Sequence, residues 1–216
     1  MVVIAGRSDE FGDMGIHYYL AGRHSFRCNH IKVAGSLFHQ AFELLFKASV
    51  LADLEARYQP SKNSRRSASQ NRAAVEGYTV AVDQVRKRLG HDIEKGWRRF
   101  KALHPHAALG GPFDDLVREL HRWWRVRYPG FPSGLGVAMT FSPVRIVGPV
   151  VEVVEGPPVE LFNLSLEAMD ELFEAVASLD WSPAHLRSVM TKMSRGDPAP
   201  GIAAYEWENR HQINLA

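Results

Sequence analysis

A single cysteine, Cys28, occurs in the 216 residues. That scarcity excludes an internal disulfide and any zinc site built on cysteine, and it suits a reducing, cytoplasmic setting. No apolar run nears the roughly 20 residues a spanning helix needs, so no membrane partner is expected. The opening MVVIAGRSDEFGDMG has too short an apolar stretch, with acids close behind it, for a secretory leader. There is no glycine-rich phosphate loop, and SGLG at Ser133 lacks the Gly-x-Ser-x-Gly order of a serine hydrolase. The His104-Pro105-His106 triplet has no third ligand of fitting spacing and is a poor metal signal. No metal and no cofactor is implied.

The composition present, 45% hydrophobic and 23% charged, is that of a soluble globular protein. The length fits a single domain spanning 1–216, large enough to bury a core. A net charge of +2 gives little support for a nucleic-acid partner, but its distribution is uneven. Arg86–Lys101 carries seven Lys/Arg against Asp92 and Glu94, and Arg118–Arg127 four against Glu119; Glu152–Asp180 has eight acids and no base. These segments either steer an anionic ligand or face one another within the fold or across a dimer.

The strongest element is HIKVAGSLFHQAFELLFKASVLADLEARY. Val33, Leu37, Ala41, Leu44, Leu45, Ala48, Leu51 and Leu54 recur at helical steps, predicting a long core helix with a Glu43–Lys47 pair one turn apart. Before it, MGIHYYLAGRHSF predicts a shorter helix ending near Gly22. Residues 59–77, rich in Ser, Asn and Arg, read as a mobile basic surface loop. YTVAVDQVRKRLG predicts a helix closed by Gly90, and DIEKGWRRFKALHP one with Ile93, Trp97, Phe100 and Leu103 inward. FDDLVRELHRWWRVRYPG predicts another, with Phe113, Leu116, Val117, Leu120 and Trp124 inward. GVAMTFSPV and RIVGPVVEVVEG read as two short strands. NLSLEAMDELFEAVASL predicts a helix with Ser165 as cap, and SPAHLRSVMTKMS a shorter one. The fold class is therefore mainly α, an up-and-down helical bundle with a small two-strand excursion.

Four ordered segments, FHQAFELLFKASVL, LGHDIEKGWRRFK, the helix ending in RYPG, and LSLEAMDELFEAV, resemble the HEPN superfamily of small all-α proteins, over about Tyr18 to Ala177. The resemblance implies a homodimeric bundle acting in RNA cleavage, in toxin-antitoxin or defence systems, or as a non-catalytic protein partner of a nucleotidyltransferase. RNA or a nucleotide is the ligand it implies. Catalytic members are metal-independent ribonucleases marked by an arginine and, four to six residues on, a histidine, often with a polar residue after the arginine. That spacing occurs at Arg86…His91, Arg98…His104, Arg99…His104, Arg99…His106 and Arg23…His30.

Metal-independent RNA cleavage needs a base for the 2′-hydroxyl proton and a cation for the charge growing on phosphate, and His with Arg suits both. Arg86, His91, Arg98 and His104 are the catalytic candidates, with Arg99 beside them. None of Arg86, Arg98 and Arg99 is followed by Asn, Asp or His, which places a non-catalytic binding module first. Its nucleic-acid candidates are Arg88, Arg98, Arg99, Lys101, Arg125 and Arg127, with Trp123 as the freer tryptophan for base stacking. The stretch GHDIE also reads as helix stop, turn and start, with Asp92 as the cap and Glu94 in the first turn.

Overall fold

The computed structural model describes residues 7–58, 67–126, 136–142 and 159–181. Along the chain run α1 (Arg7–Arg27), α2 (Ile31–Tyr58), α3 (Ala68–Leu89), α4 (Ile93–Leu103), α5 (Pro112–Val126), β1 (Gly136–Ser142), β2 (Val159–Ser165) and α6 (Leu166–Asp180). The fold is a mainly α helical bundle, as the periodicity predicts.

Helix α2 is its axle and touches each of the other five helices. A helix so placed must be apolar on most of its circumference, and this one is. Phe38, Phe42 and Phe46 stand one turn apart and are fully buried. Phe42 and Phe38 meet the Tyr19 ring, which stacks on Phe173 at 4.0 Å. Phe46 meets Trp97 and Phe100 at 5.4 and 5.5 Å. The aliphatic stripe predicted for α2 holds for Ala41, Leu44, Leu45, Ala48 and Leu51, whereas Val33, in the first turn, is half exposed.

Helix α1 is longer than predicted at both ends. Gly22 does not stop it: a Cβ there would lie 3.0 Å from the Phe38 ring, and one at Gly15 would lie 2.8 Å from Leu45. The two glycines, seven residues apart, let α1 lie close against α2. Asn29, in the left-handed region at φ 60°, makes the connection to α2, a conformation that asparagine tolerates.

The predicted loop at 59–77 is corrected in its second half. Ser67 accepts from the Gln70 N–H while the Gln70 side chain accepts from the Ser67 N–H, a capping box that starts α3 at Ala68. Residues 59–66 lie outside the described residues. Helix α3 ends at Gly90, at φ +52°, and Asp92 caps α4 by accepting from Lys95 N–H at 3.0 Å. Of α3 only Tyr78 is buried, and the shared core of α1, α2, α4, α5, β2 and α6 does not include it.

Strand β1 falls where predicted. It pairs in parallel with β2, from Gly136 opposite Val159 to Ser142 opposite Ser165. The predicted second strand, 145–156, lies outside the described residues, as does the predicted last helix. Asn163 and Leu164, assigned from sequence to a helix, belong to β2, and Ser165 then caps α6 by accepting from Ala168 N–H at 3.1 Å.

Candidate functional site

Helices α2 and α3 run antiparallel, with Glu55 meeting Tyr78 and Glu43 meeting His91. Near the second of these meetings, Gly90 ends α3 and the chain turns sharply. His91 is thereby laid back on α2, with Nδ1 3.1 Å from both Glu43 oxygens. A carboxylate only accepts, so Nδ1 carries the donated proton. Glu43 itself is buried, and the Lys47 ammonium donates to it at 2.6 Å. The His91 side chain is 58% exposed. The GHDIE stretch is thus a helix stop, turn and start as predicted, and the same turn also delivers an exposed imidazole onto a buried carboxylate.

Arg86, one turn before the end of α3, lines an open cavity of about 630 Å³ together with His91, Glu43 and Lys47. Arg86 and His91 are therefore brought to one place. His104, the other candidate histidine, is engaged elsewhere. His104 lies 3.2 Å from Asp180 through Nε2, and its ring lies against Phe100 at 4.6 Å, tying the end of α4 to α6. Asp180 also accepts from the Ser49 hydroxyl. Burial raises the Asp180 pKa, while Ser49 and His104 pull the other way. Arg23 is the one candidate arginine followed by histidine, His24. It is buried, and both its Nε and Nη2 donate to Asp170.

Among the described residues, most cations of the basic middle are neutralised locally. Lys87 meets Asp83, Lys95 meets Asp92, Arg118 meets Asp115 and Arg122 meets Glu119, all within 3.0 Å. Arg99 lies 3.9 Å from Asp53 and, with Arg88, lines a second, smaller cavity of about 350 Å³. Lys101 is 2.6 Å from Asp114 and 5.5 Å from the centre of the Trp97 ring. The nucleic-acid role expected of Lys101 is thereby weakened. Arg86, Arg88 and Arg98 are exposed and have no ion-pair partner among the described residues. The Arg125 side chain and Arg127 lie outside the described residues, as does the Trp124 side chain. Trp123, expected to be free for stacking, is fully buried.

Hydrogen bonds from Lys101 and the Trp97 indole hold the Asp114 carboxyl below its ordinary 3.8, with slight burial opposing them. An acid depressed in the fold contributes stability that is present above its unfolded pKa and lost as pH falls through the folded one. Asp114→Asn is expected to flatten acid unfolding below pH 3.8, followed by circular dichroism. Superimposable acid curves for variant and parent would contradict this.

Among the buried carboxylates that sequence reasoning missed are Glu43 as the anchor of His91 and Asp170 as the anchor of Arg23. Each carries one available signal, an acid on the apolar face of its helix, in FELLF and AMDELF. Among the described residues, no group of three His, Cys, Asp or Glu is placed to hold a metal ion, and no helix is long and apolar enough to cross a membrane. Compared with protein-family models, curated proteins and solved structures, the chain matches none.

Proposed function

We propose that the chain is a HEPN-like helical protein that binds RNA through the α3–α4 turn, without catalysing its cleavage. The observation that carries this reading is that Arg86, Arg88 and Arg98, all exposed, have no ion-pair partner among the described residues, whereas Lys87 and Lys95 between them in the chain are held by acids. Unpaired guanidiniums are free to displace counterions from phosphate, and paired ones must first give up a carboxylate. The four ordered segments of the sequence support the family reading, and with it a homodimer and a toxin-antitoxin or defence setting.

The Arg86→Glu, Arg88→Glu, Arg98→Glu triple variant is expected to lower the salt slope of single-stranded RNA binding by about 2, at about 0.7 per lost phosphate contact. Arg118→Glu, Arg122→Glu, at two ion-paired positions, is expected to change it far less. Equal slopes for both variants would overturn the assignment.

A second reading, a metal-independent endoribonuclease, is favoured by one geometric fact: Arg86 and the Glu43-anchored His91 line one open cavity. It supplies a cation and an oriented imidazole together. Its test is incubation with total RNA in chelator: cleavage that survives His104→Ala and is lost in His91→Ala establishes the enzyme. Intact RNA with the parent protein leaves the binding role.

A further inference from the structure

The cavity between α2 and α3 has a direction. From Glu43 to Leu51 the α2 wall spans about 12 Å, at ~1.5 Å per residue. The antiparallel α3 wall runs the opposite way, from His91 back to Thr79. Glu43, Lys47, Arg86 and His91 gather at the first end, and Asp83, paired with Lys87, stands beside Val82 toward the other. At the other end the walls are Leu51 and Val82, with Phe11 of α1 and Val85 contributing further apolar surface.

The charges are unequally spent. Glu43 is held by Lys47 at 2.6 Å and by His91 at 3.1 Å, and Asp83, also at the wall, is held by Lys87 at 2.8 Å. Among the cavity's described charged groups Arg86 is the cation without an ion pair inside 4.0 Å, its nearest influence being the Lys87-held Asp83 carboxylate one turn back. Helix α3 also lies outside the shared core, so the cavity has one firm wall and one lightly held wall. Its volume, about 630 Å³, falls in the range of small-molecule sites.

We infer that this cavity binds a small amphipathic carboxylate, its head on Arg86 and its apolar tail lying between Leu51 and Val82. The head gains a charge-assisted, two-pronged contact that a guanidinium offers and an ammonium does not. The tail gains the burial that closes the cavity, including part of the exposed α3 face. This occupancy goes beyond RNA binding and does not depend on it.

The test is titration calorimetry of the full chain with octanoate, octanol and acetate, repeated on Arg86→Ala and Val82→Phe. Circular dichroism of each variant establishes that it is folded. Octanoate is expected to bind one to one, with octanol and acetate each about tenfold weaker or more, because each lacks one of the two anchors. Arg86→Ala is expected to weaken octanoate about tenfold and leave octanol unchanged. Val82→Phe, which fills the apolar end, is expected to abolish binding of both. The inference is overturned if octanoate does not bind, binds no tighter than octanol, or is unaffected by both substitutions. Loss of RNA binding in Arg86→Ala with octanoate unchanged would overturn this inference while sparing the RNA reading.

Discussion

Replacing Asp170 with alanine is expected to cost about 3–5 kcal/mol of folding stability, because it leaves a buried charge without its partner. Arg23 and Asp170 are both nearly closed to solvent, 7% and 2% exposed, and meet through two hydrogen bonds of 2.8 and 2.9 Å. The Tyr19 hydroxyl donates to the same carboxylate. Burial, and then the charge of Asp170, push the Tyr19 pKa well above its ordinary 10.0, with Arg23 opposing. The phenol therefore stays neutral, and the triad joins α1 to α6 through one carboxylate. Asp170→Leu combined with Arg23→Met removes both charges and is expected to lose much less than Asp170→Ala alone. Urea unfolding of the three proteins checks this. A single variant within about 1 kcal/mol of the parent would mean that the pair is exposed and screened.

Trp123→Ala carries a comparable penalty, about 3–5 kcal/mol, the range for deleting a large buried aromatic side chain. Trp123 is fully buried, and its ring lies over Gly35 of α2, where a Cβ would come within 2.2 Å of it. The ring replaces the side chain that α2 lacks at that position. Gly35→Val is expected to be destabilising by a different route, overpacking, at about 1–3 kcal/mol or more. If Trp123→Ala instead left stability intact and weakened RNA binding, the side chain would be a stacking platform on the surface. The buried position predicts the reverse pattern.

The elements most legible in the sequence are those whose periodicity is long and uninterrupted. Helix α2, 28 residues without a proline, is read to within a residue of its ends. The caps of α4 and α6, Asp92 and Ser165, are local hydrogen bonds and are read correctly for that reason. What fails depends on distant partners or on local signals that composition masks. Gly22 resembles a helix stop until Phe38 is seen against it. The Ser67–Gln70 capping box hides in a polar segment whose composition suggests a loop. Trp123 and Trp124 stand three and four residues after Leu120, so helical phase alone cannot separate them.

The candidate site divides in the same way. His91 and Asp92 are visible as a turn between helices, because both roles are set by neighbours in the chain. The partner that anchors His91 is 48 residues away, and a glutamate inside FELLF reads as one half of a surface pair with Lys47. The local charge balance is equally hidden. Seven Lys/Arg from Arg86 to Lys101 look like one basic face, yet Lys87, Lys95, Arg99 and Lys101 face acids on their own or neighbouring helices. Summed charge counts residues, whereas recognition depends on which of them remain unpaired.

The most direct test of the RNA reading is photo-crosslinking of single-stranded RNA bearing 4-thiouridine, followed by mass mapping of the attached peptides. Crosslinks concentrated between Arg86 and Arg99, and lost in the triple arginine variant, are the expected result. Crosslinks confined to α1 or α6, or none at saturating protein, would contradict it.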